Sequence, residues 1–359
     1  WQHVAETSQR AAKRQAVEDA LRRIGGIEDI TVPPLLVAGP CLGYRRRARL
    51  QLRQADGEVI LGFHAPGSQA VVDIPDCIQM SNGLRRAHAA LSAALADAGA
   101  PPGVAEIELA VGSEDGPGVA AFRMSRRAPR GTRAQLEKVA AAAVRSDGLQ
   151  GVAVLGSFDR LIGQWGDVTI SHQVSAGTLP GAPYTLRQRA WSFAQAGWEA
   201  NQLLVRTVIE ALGAPPPRRL LELYAGSGNF TVPLSALCGE LTAVEGDPQA
   251  THDLRENLAR AGSGAHVLAL PVERAFRRVA PVDAVLLDPP RGGAAEALPG
   301  LTAMNPERIV YVACDPATLA RDLRKLTGEG YRVAEVKALD LFPQTYHVEV
   351  VATCIRAEA

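Results

Sequence analysis

Apolar and polar positions follow two different rhythms along the chain, and the rhythm changes near residue 186. Residues 4–24 carry apolar side chains three and four apart among alanines and charges, which predicts a helix closed by Gly25-Gly26. After Pro33-Pro34, the segments ARLQLR (48–53), VILGFH (59–64) and AVVDI (70–74) alternate or cluster as strands do, across Asp-Gly and Pro-Gly turns. Residues 78–98 predict a helix stopped by the Gly99–Gly103 stretch. VAEIELAV (104–111) and VAAFRM (119–124) predict a strand pair, 134–145 an alanine-rich helix, and 151–156 and 166–172 further strands. This half is expected to be α+β with mostly antiparallel strands.

The second half predicts a long helix over 188–212, closed by Gly213 and Pro215-Pro216-Pro217. Short apolar strands then alternate with helical segments: RLLELYA (219–225), LTAVEG (241–246), HVLALP (266–271), AVLLDPP (284–290) and IVYVAC (309–314). YRVAEVKALD (331–340) and HVEVVATCI (347–355) close the chain. Such alternation predicts an α/β fold: a doubly wound, Rossmann-like parallel sheet with an antiparallel edge. The expected domains are thus 1–185, central and α+β with an N-terminal helix, and 186–359.

Composition narrows this picture only a little. The 359 residues suffice for two domains, and 47% hydrophobic with 21% charged residues is the balance of a soluble globular protein. No apolar run approaches the roughly 18 residues of a membrane span. Five scattered cysteines (41, 77, 238, 314, 354) argue against a disulfide framework and for a reducing, cytoplasmic compartment. Net charge is zero. Two basic runs stand out locally, Arg45, Arg46, Arg47, Arg49 and Arg53, then Arg123, Arg126, Arg127, Arg130 and Arg133; either is ordinarily a solvated face. The sequence starts at Trp1 rather than methionine, so an upstream part is expected.

The chemistry centres on IVYVACDPATLARDL (309–323). Cys314 is expected at the carboxyl end of a strand, on a turn into a helix N-terminus, where ligands gather and thiolate is favoured. A buried apolar filler is the plainer reading of any free cysteine. ELYAGSGNF (222–230) follows the first strand of the same sheet, with Gly226 and Gly228 allowing close approach of a ligand to backbone. Glu245 ends the second strand, where such folds bind ribose hydroxyls, but the third glycine of a dinucleotide site is missing. Adenosylmethionine therefore fits better than a nicotinamide cofactor. Asp288 adds a carboxylate to the same rim. A thiol beside a methyl donor suggests an electron-poor carbon such as uracil C5, which becomes nucleophilic once a thiolate adds at C6. A base must then remove the C5 proton; Glu349 and His347 are both candidates, and Glu349 is favoured.

The set LLELYAGSGNFTVPLS (220–235), VEGD (244–247), LLDPPRGG (286–293), YVACDPATLARDL (311–323) and LFPQTYHVE (341–349) resembles the RNA uracil-5-methyltransferase family. The resemblance implies Cys314 as nucleophile and Glu349 as the base that resolves the adduct. It implies S-adenosylmethionine contacts from Gln195, Tyr224, Gly226, Gly228, Asn229, Glu245 and Asp288. It assigns the first half to RNA binding and turns the Arg45–Arg49 run toward phosphate contact. The N-terminal oligonucleotide-binding barrel of many members is not within this sequence. One branch holds a [4Fe–4S] cluster on three clustered cysteines and a fourth. Trp1-Gln2-His3 looks like the segment after the first three and Cys77 like the fourth ligand, so only a longer chain could hold that cluster. Gly197 and Pro271 depart from the family pattern in the cofactor pocket. The cluster-bearing branch favours 23S rRNA over transfer RNA as substrate. A cytosine-5 enzyme would carry Pro-Cys where Asp288-Pro-Pro-Arg291 stands, and a catalytically silent RNA-binding protein would not need Cys314 with Glu349. No obligate protein partner is evident.

Overall fold

The structure, a computed structural model, describes residues 1–359 apart from 56–57, 126–128, 130 and 358–359. The Asp56-Gly57 turn and Arg126, Arg127 and Arg130 of the second basic run lie outside the described residues. Two compact units emerge, one of Trp1–Gly39, Val174–Leu186 and Glu199–Ala359, the other of Pro40–Gln173 and Arg187–Trp198. A single cut at 185/186 does not separate them. Helix α1 (Glu6–Ala20) belongs with the C-terminal sheet, and a short stretch after residue 186 returns to the central unit.

The central unit is a seven-stranded sheet of β1 (Arg47–Ala55), β2 (Glu58–His64), β3 (Val71–Asp73), β4 (Val104–Ala110), β5 (Gly118–Met124), β6 (Leu149–Leu155) and β7 (Leu161–Gly166). Its order is β3-β2-β1-β4-β5-β6-β7, and only β5–β6 is parallel. Helices α2 (Asn82–Ala98) and α3 (Thr132–Val144) cover one face, where Leu84, Leu91, Leu95 and Val139 share a buried core with Leu50, Ile107, Phe122 and Val152. On the other face Trp191 joins Val119, Ala121 and Leu155, which fixes the returning stretch to the sheet.

The helix expected over 188–212 starts only at Trp198. β8 (Thr169–Val174) and β9 (Tyr184–Arg189) form a two-stranded sheet instead, followed by α4 (Trp198–Leu212). Pairing with the preceding strand overrides the local helical pattern at Gln188 and Arg189.

The C-terminal unit runs β10 (Arg219–Leu223), α5 (Thr231–Ser235), β11 (Glu240–Glu245), α6 (Pro248–Arg260), β12 (His266–Ala269), α7 (Val272–Ala275), β13 (Ala284–Leu287), α8 (Leu298–Met304), β14 (Arg308–Ala313), α9 (Pro316–Gly328), β15 (Tyr331–Leu339) and β16 (Glu349–Arg356). Strand order is β12-β11-β10-β13-β14-β16-β15, parallel as far as β14 and antiparallel beyond it. The winding reverses at β10, which puts the ligand-binding crevice at the carboxyl ends of β10, β11 and β13. All four residues of β13 are buried, as a strand covered on both faces requires. Asp247-Pro248 and Asp315-Pro316 start α6 and α9 by one device. The aspartate side chain accepts two backbone N–H bonds and proline takes the first turn, worth about 1 kcal/mol per cap.

Candidate active site

Cys314 is the first residue after β14, half-buried, with Asp315 capping α9 immediately after it. β14 pairs antiparallel with β16, ending at Ala313 opposite Val350. Cys314 and Glu349 flank that pair, one on each chain segment. Glu349 pairs with Leu339 of β15, and is 2% exposed. Burial raises its pKa well above the ordinary carboxyl value, the Asp288 carboxylate adds to this, and Arg291 opposes it. Such a carboxyl takes up a proton near neutral pH more readily than an exposed glutamate.

The expectation that a helix N-terminus holds Cys314 as thiolate is not met. Its thiol pKa is raised, first by burial, then by the Glu349 charge, with Asp288 adding a little. Arg291 pulls the other way, both by its charge and by a hydrogen bond to the thiol. Asp288, directly after β13, is pushed up to about 7 by desolvation. The rim therefore gathers two carboxyls of raised pKa, a thiol and one arginine.

Arg291 is held by a network that the sequence did not reveal. The Ala294 N–H donates to the Tyr311 hydroxyl at 2.9 Å and to Asp322 Oδ2 at 2.8 Å, and Tyr311 donates to the same carboxylate oxygen at 2.9 Å. Arg321 donates to Asp322 at 2.9 Å and to the Gly292 carbonyl at 2.8 Å. Gly293 sits at φ +82°, and a Cβ there would come within 2.5 Å of Asp322 Oδ2. The loop after β13 is thereby fixed, and Arg291 Nη2 lies 3.2 and 3.3 Å from the two ring nitrogens of His347. Tyr311 stands in an apolar run, while Asp322 is one charged residue among Arg321, Arg324 and Lys325, so nothing in the sequence marks the two as partners.

Tyr224, Gly226 and Gly228 form the turn after β10, with φ of 62°, 56° and 98°. Burial raises the Tyr224 hydroxyl to about 12. A Cβ at Gly226 would meet nothing within 4 Å, so the turn opens onto free space. Glu245 at the end of β11 accepts from Gly226 N–H at 2.8 Å and Asp247 N–H at 2.7 Å. Two bonds leave its carboxylate further acceptor capacity for a pair of hydroxyls. Beneath them Glu222 is 1% exposed, and burial with the Asp288 and Glu245 charges raises it to about 8. The Ser227 hydroxyl is buried with no hydrogen-bond partner among the described residues. An open glycine turn, an orphaned hydroxyl and a backbone-held carboxylate fit the adenosyl half of S-adenosylmethionine. Asn229 differs from expectation: its side-chain amide exchanges two bonds with Asn201 of α4, at 2.7 and 2.9 Å.

Gln195 belongs to the central unit, half-buried, its side-chain oxygen without a hydrogen-bond partner among the described residues. Two arginines of the Arg45–Arg49 run, Arg46 and Arg47, bind this stretch, and Arg49 pairs with Glu106 and Glu108. Arg47 donates to the carbonyls of Ser192 and Ala194 at 2.9 and 3.2 Å and pairs with Glu108. The Arg46 backbone N–H donates to the Ala196 carbonyl at 2.8 Å, and its side chain pairs with Asp115 at 3.1 Å. Arg123 pairs with Glu106, Glu108 and Asp159. Burial would raise the Glu108 pKa, but Arg47 and Arg123 more than offset it, so it is lowered.

Cys77 is half-buried at the edge of the central core, and its carbonyl accepts from Met80 N–H and Arg85. Among the described residues no group of three or more His, Cys, Asp or Glu side chains could hold a metal ion. The residues present do not assemble a ligand set for an iron–sulfur cluster. All five cysteines are free thiols, and no helix among the described residues is long and apolar enough to cross a membrane.

A profile of the family described as tRNA (Uracil-5-)-methyltransferase matches residues 173–356. The 23S rRNA (uracil(1939)-C(5))-methyltransferase RlmD of Chromohalobacter salexigens is 35% identical, over 97% of this chain and 72% of its own length. The chain belongs to the RNA uracil-5-methyltransferase family. The RlmD of Pseudomonas putida is 32% identical over 98% of this chain and 76% of its own length. In fold, the chain matches the Pyrococcus abyssi tRNA (uracil-54, C5)-methyltransferase crystallised with S-adenosyl-L-homocysteine. The TM-score is 0.75 at 23% identity, covering 99% of this chain and 84% of the other. Family membership makes this chain an S-adenosylmethionine-dependent methyltransferase acting on uracil C5 in RNA.

Proposed function

We propose that this chain methylates C5 of a uridine in 23S rRNA through a covalent adduct on Cys314 that Glu349 resolves. The observation that carries this reading is that the half-buried Cys314 thiol, just past the Ala313–Val350 pair, lies within the electrostatic reach of the buried Glu349 carboxyl. S-adenosylmethionine, when bound, supplies an electrophilic methyl group. Cys314, as thiolate, adds to C6 of the uracil, and the electron pair displaced from the C5–C6 bond makes C5 the nucleophile. After C5 is methylated, Glu349 removes the remaining C5 proton, the double bond re-forms and the C6–S bond breaks. Arg291 favours the thiolate that attack and departure both require. A carboxyl with a raised pKa suits the base, because its basicity moves toward the working pH.

Tyr224, Gly226, Gly228, Glu245 and Asp288 would hold the cofactor, with Glu245 on the ribose hydroxyls. Asn229 would act through backbone or by setting the turn, since Asn201 occupies its amide. Gln195 is assigned a cofactor contact on the family resemblance, and its unpartnered oxygen is an available acceptor. The RlmD relatives favour rRNA over transfer RNA. Mapping 5-methyluridine by mass spectrometry in rRNA and tRNA from cells with and without the gene tests the substrate. Loss of a methyl group from tRNA, with 23S rRNA unchanged, would overturn the assignment.

A further inference from the structure

Helix α1 buries Gln9, Lys13, Val17 and Ala20 along one face, yet its first two buried positions are polar. Gln9 and Lys13 are each 1% exposed. Lys13 Nζ donates to Asp340 Oδ1 at 2.6 Å and to the Phe342 carbonyl at 3.0 Å, and Asp340 is itself 4% exposed. Gln9 Nε2 donates to Gln344 Oε1 at 2.8 Å, while Gln9 Oε1 accepts from the Gln344 N–H at 3.0 Å. Gln344 sits at φ +66°, a conformation a non-glycine residue keeps only when its surroundings impose it. Leu36 closes the other side, donating to the Ala338 carbonyl and accepting from the Asp340 N–H, both at 2.9 Å.

Apart from the Leu36 bond to Ala338 in β15, these contacts converge on one segment, the turn from Asp340 to Val348 that joins β15 to β16. That turn carries His347 and opens directly into Glu349. A buried Lys–Asp pair adds little net stability over apolar residues of the same size, because desolvation offsets the attraction. Burial lowers the Lys13 pKa even though Asp340 opposes this. What the pair and the glutamine exchange do supply is position: three polar bonds at two points of a turn whose end aims the base.

We propose that α1 is a strut for the base-bearing turn, with Gln9 and Lys13 as positioning residues that set how fast the covalent adduct is resolved. The proposal rests on Glu349 being the resolving base. A displaced turn would shift Glu349 while leaving Cys314, anchored by β14 and the Asp315 cap, where it is. Adduct formation and adduct breakdown should therefore separate.

The test uses the full chain with S-adenosylmethionine and unmodified 23S rRNA transcribed in vitro, following the protein–RNA adduct on denaturing gels under single-turnover conditions. Two variants are compared with wild type: Gln9→Leu, and the double variant Lys13→Met with Asp340→Leu, which removes both charges together. The expected result is adduct formation at the wild-type rate with breakdown slowed about 10- to 100-fold, so that adduct accumulates. Breakdown at the wild-type rate in folded variants overturns the proposal. Equal slowing of both steps with a lowered melting temperature overturns it too, since that is general destabilisation. If wild type forms no adduct while it still methylates the RNA, the Cys314–Glu349 reading has failed, and the strut falls with it.

Discussion

Cys314 directly follows the Ala313–Val350 pair on β14, and Glu349 directly precedes it on β16. The carboxylate is close enough for its charge to act on the thiol. The thiol pKa is raised in part by the carboxylate, and burial is the larger cause.

Replacing Cys314 by Ala should abolish adduct formation and lower methyl transfer by at least about 10³-fold. The side chain is small and half-buried, so the thermal unfolding midpoint should stay put. Methyl incorporation into RNA with the variant is the measurement; undiminished incorporation rules out the covalent route.

Glu349→Gln keeps the shape at the mouth of β16 but removes the base. Adduct should form and persist, visible as a slow band on denaturing gels. An active variant with no lasting adduct would assign the proton to another group, with His347 next in line.

Arg291 is the group that lowers the Cys314 pKa. Arg291→Met should move the midpoint of Cys314 alkylation by iodoacetamide to higher pH. Mass spectrometry of the labelled peptide against pH reports it; a midpoint unchanged or moved down contradicts the electrostatic assignment.

Gly293→Ala should loosen the loop that carries Arg291. Its φ of +82° and the 2.5 Å approach to Asp322 make any side chain costly, on the order of 1–3 kcal/mol. Urea unfolding gives the stability loss, and the Cys314 alkylation midpoint should rise as it does in Arg291→Met.

Glu222 holds its proton more tightly folded than unfolded, about 8 against 4.5. Its contribution to stability is therefore complete below about pH 4.5 and is lost as pH rises through about 8. Glu222→Gln should flatten the fall in urea midpoint between pH 5.5 and 8.5, a difference on the order of a few kcal/mol at the alkaline end. Parallel slopes for the two proteins would contradict the raised pKa.

Much of the C-terminal unit is legible in the sequence because each of its signals is local. Asp315-Pro316 reads as strand end and helix start because a side-chain cap and a fixed φ act within three residues. The turn at Gly226 and Gly228 is legible likewise, since glycine supplies the positive φ that each position adopts. What escaped depends on distant partners. The helix expected over 188–212 starts only at Trp198 because its first two residues belong to β9, and the carboxylates that meet Arg46 and Arg47, Asp115 and Glu108, lie more than sixty positions away. Helical spacing correctly locates α1 but says nothing about which unit it joins, since that is settled by Asp340 and Gln344, more than three hundred residues away. Asn201, Tyr311 and Asp322 carry no local signal either: each bonds a partner 11 to 28 residues away that spacing alone does not single out.

The last strand, β16, lies between β14 and β15 rather than outside them. During synthesis, then, Cys314 leaves the ribosome while the edge it needs is still open, and β15 cannot close that edge by itself. Only when the final strand threads into the gap does the thiol meet its carboxyl. On the proposed mechanism, the nascent chain would carry Cys314 before Glu349 is in place, and the two would come together in the same event that seals the sheet.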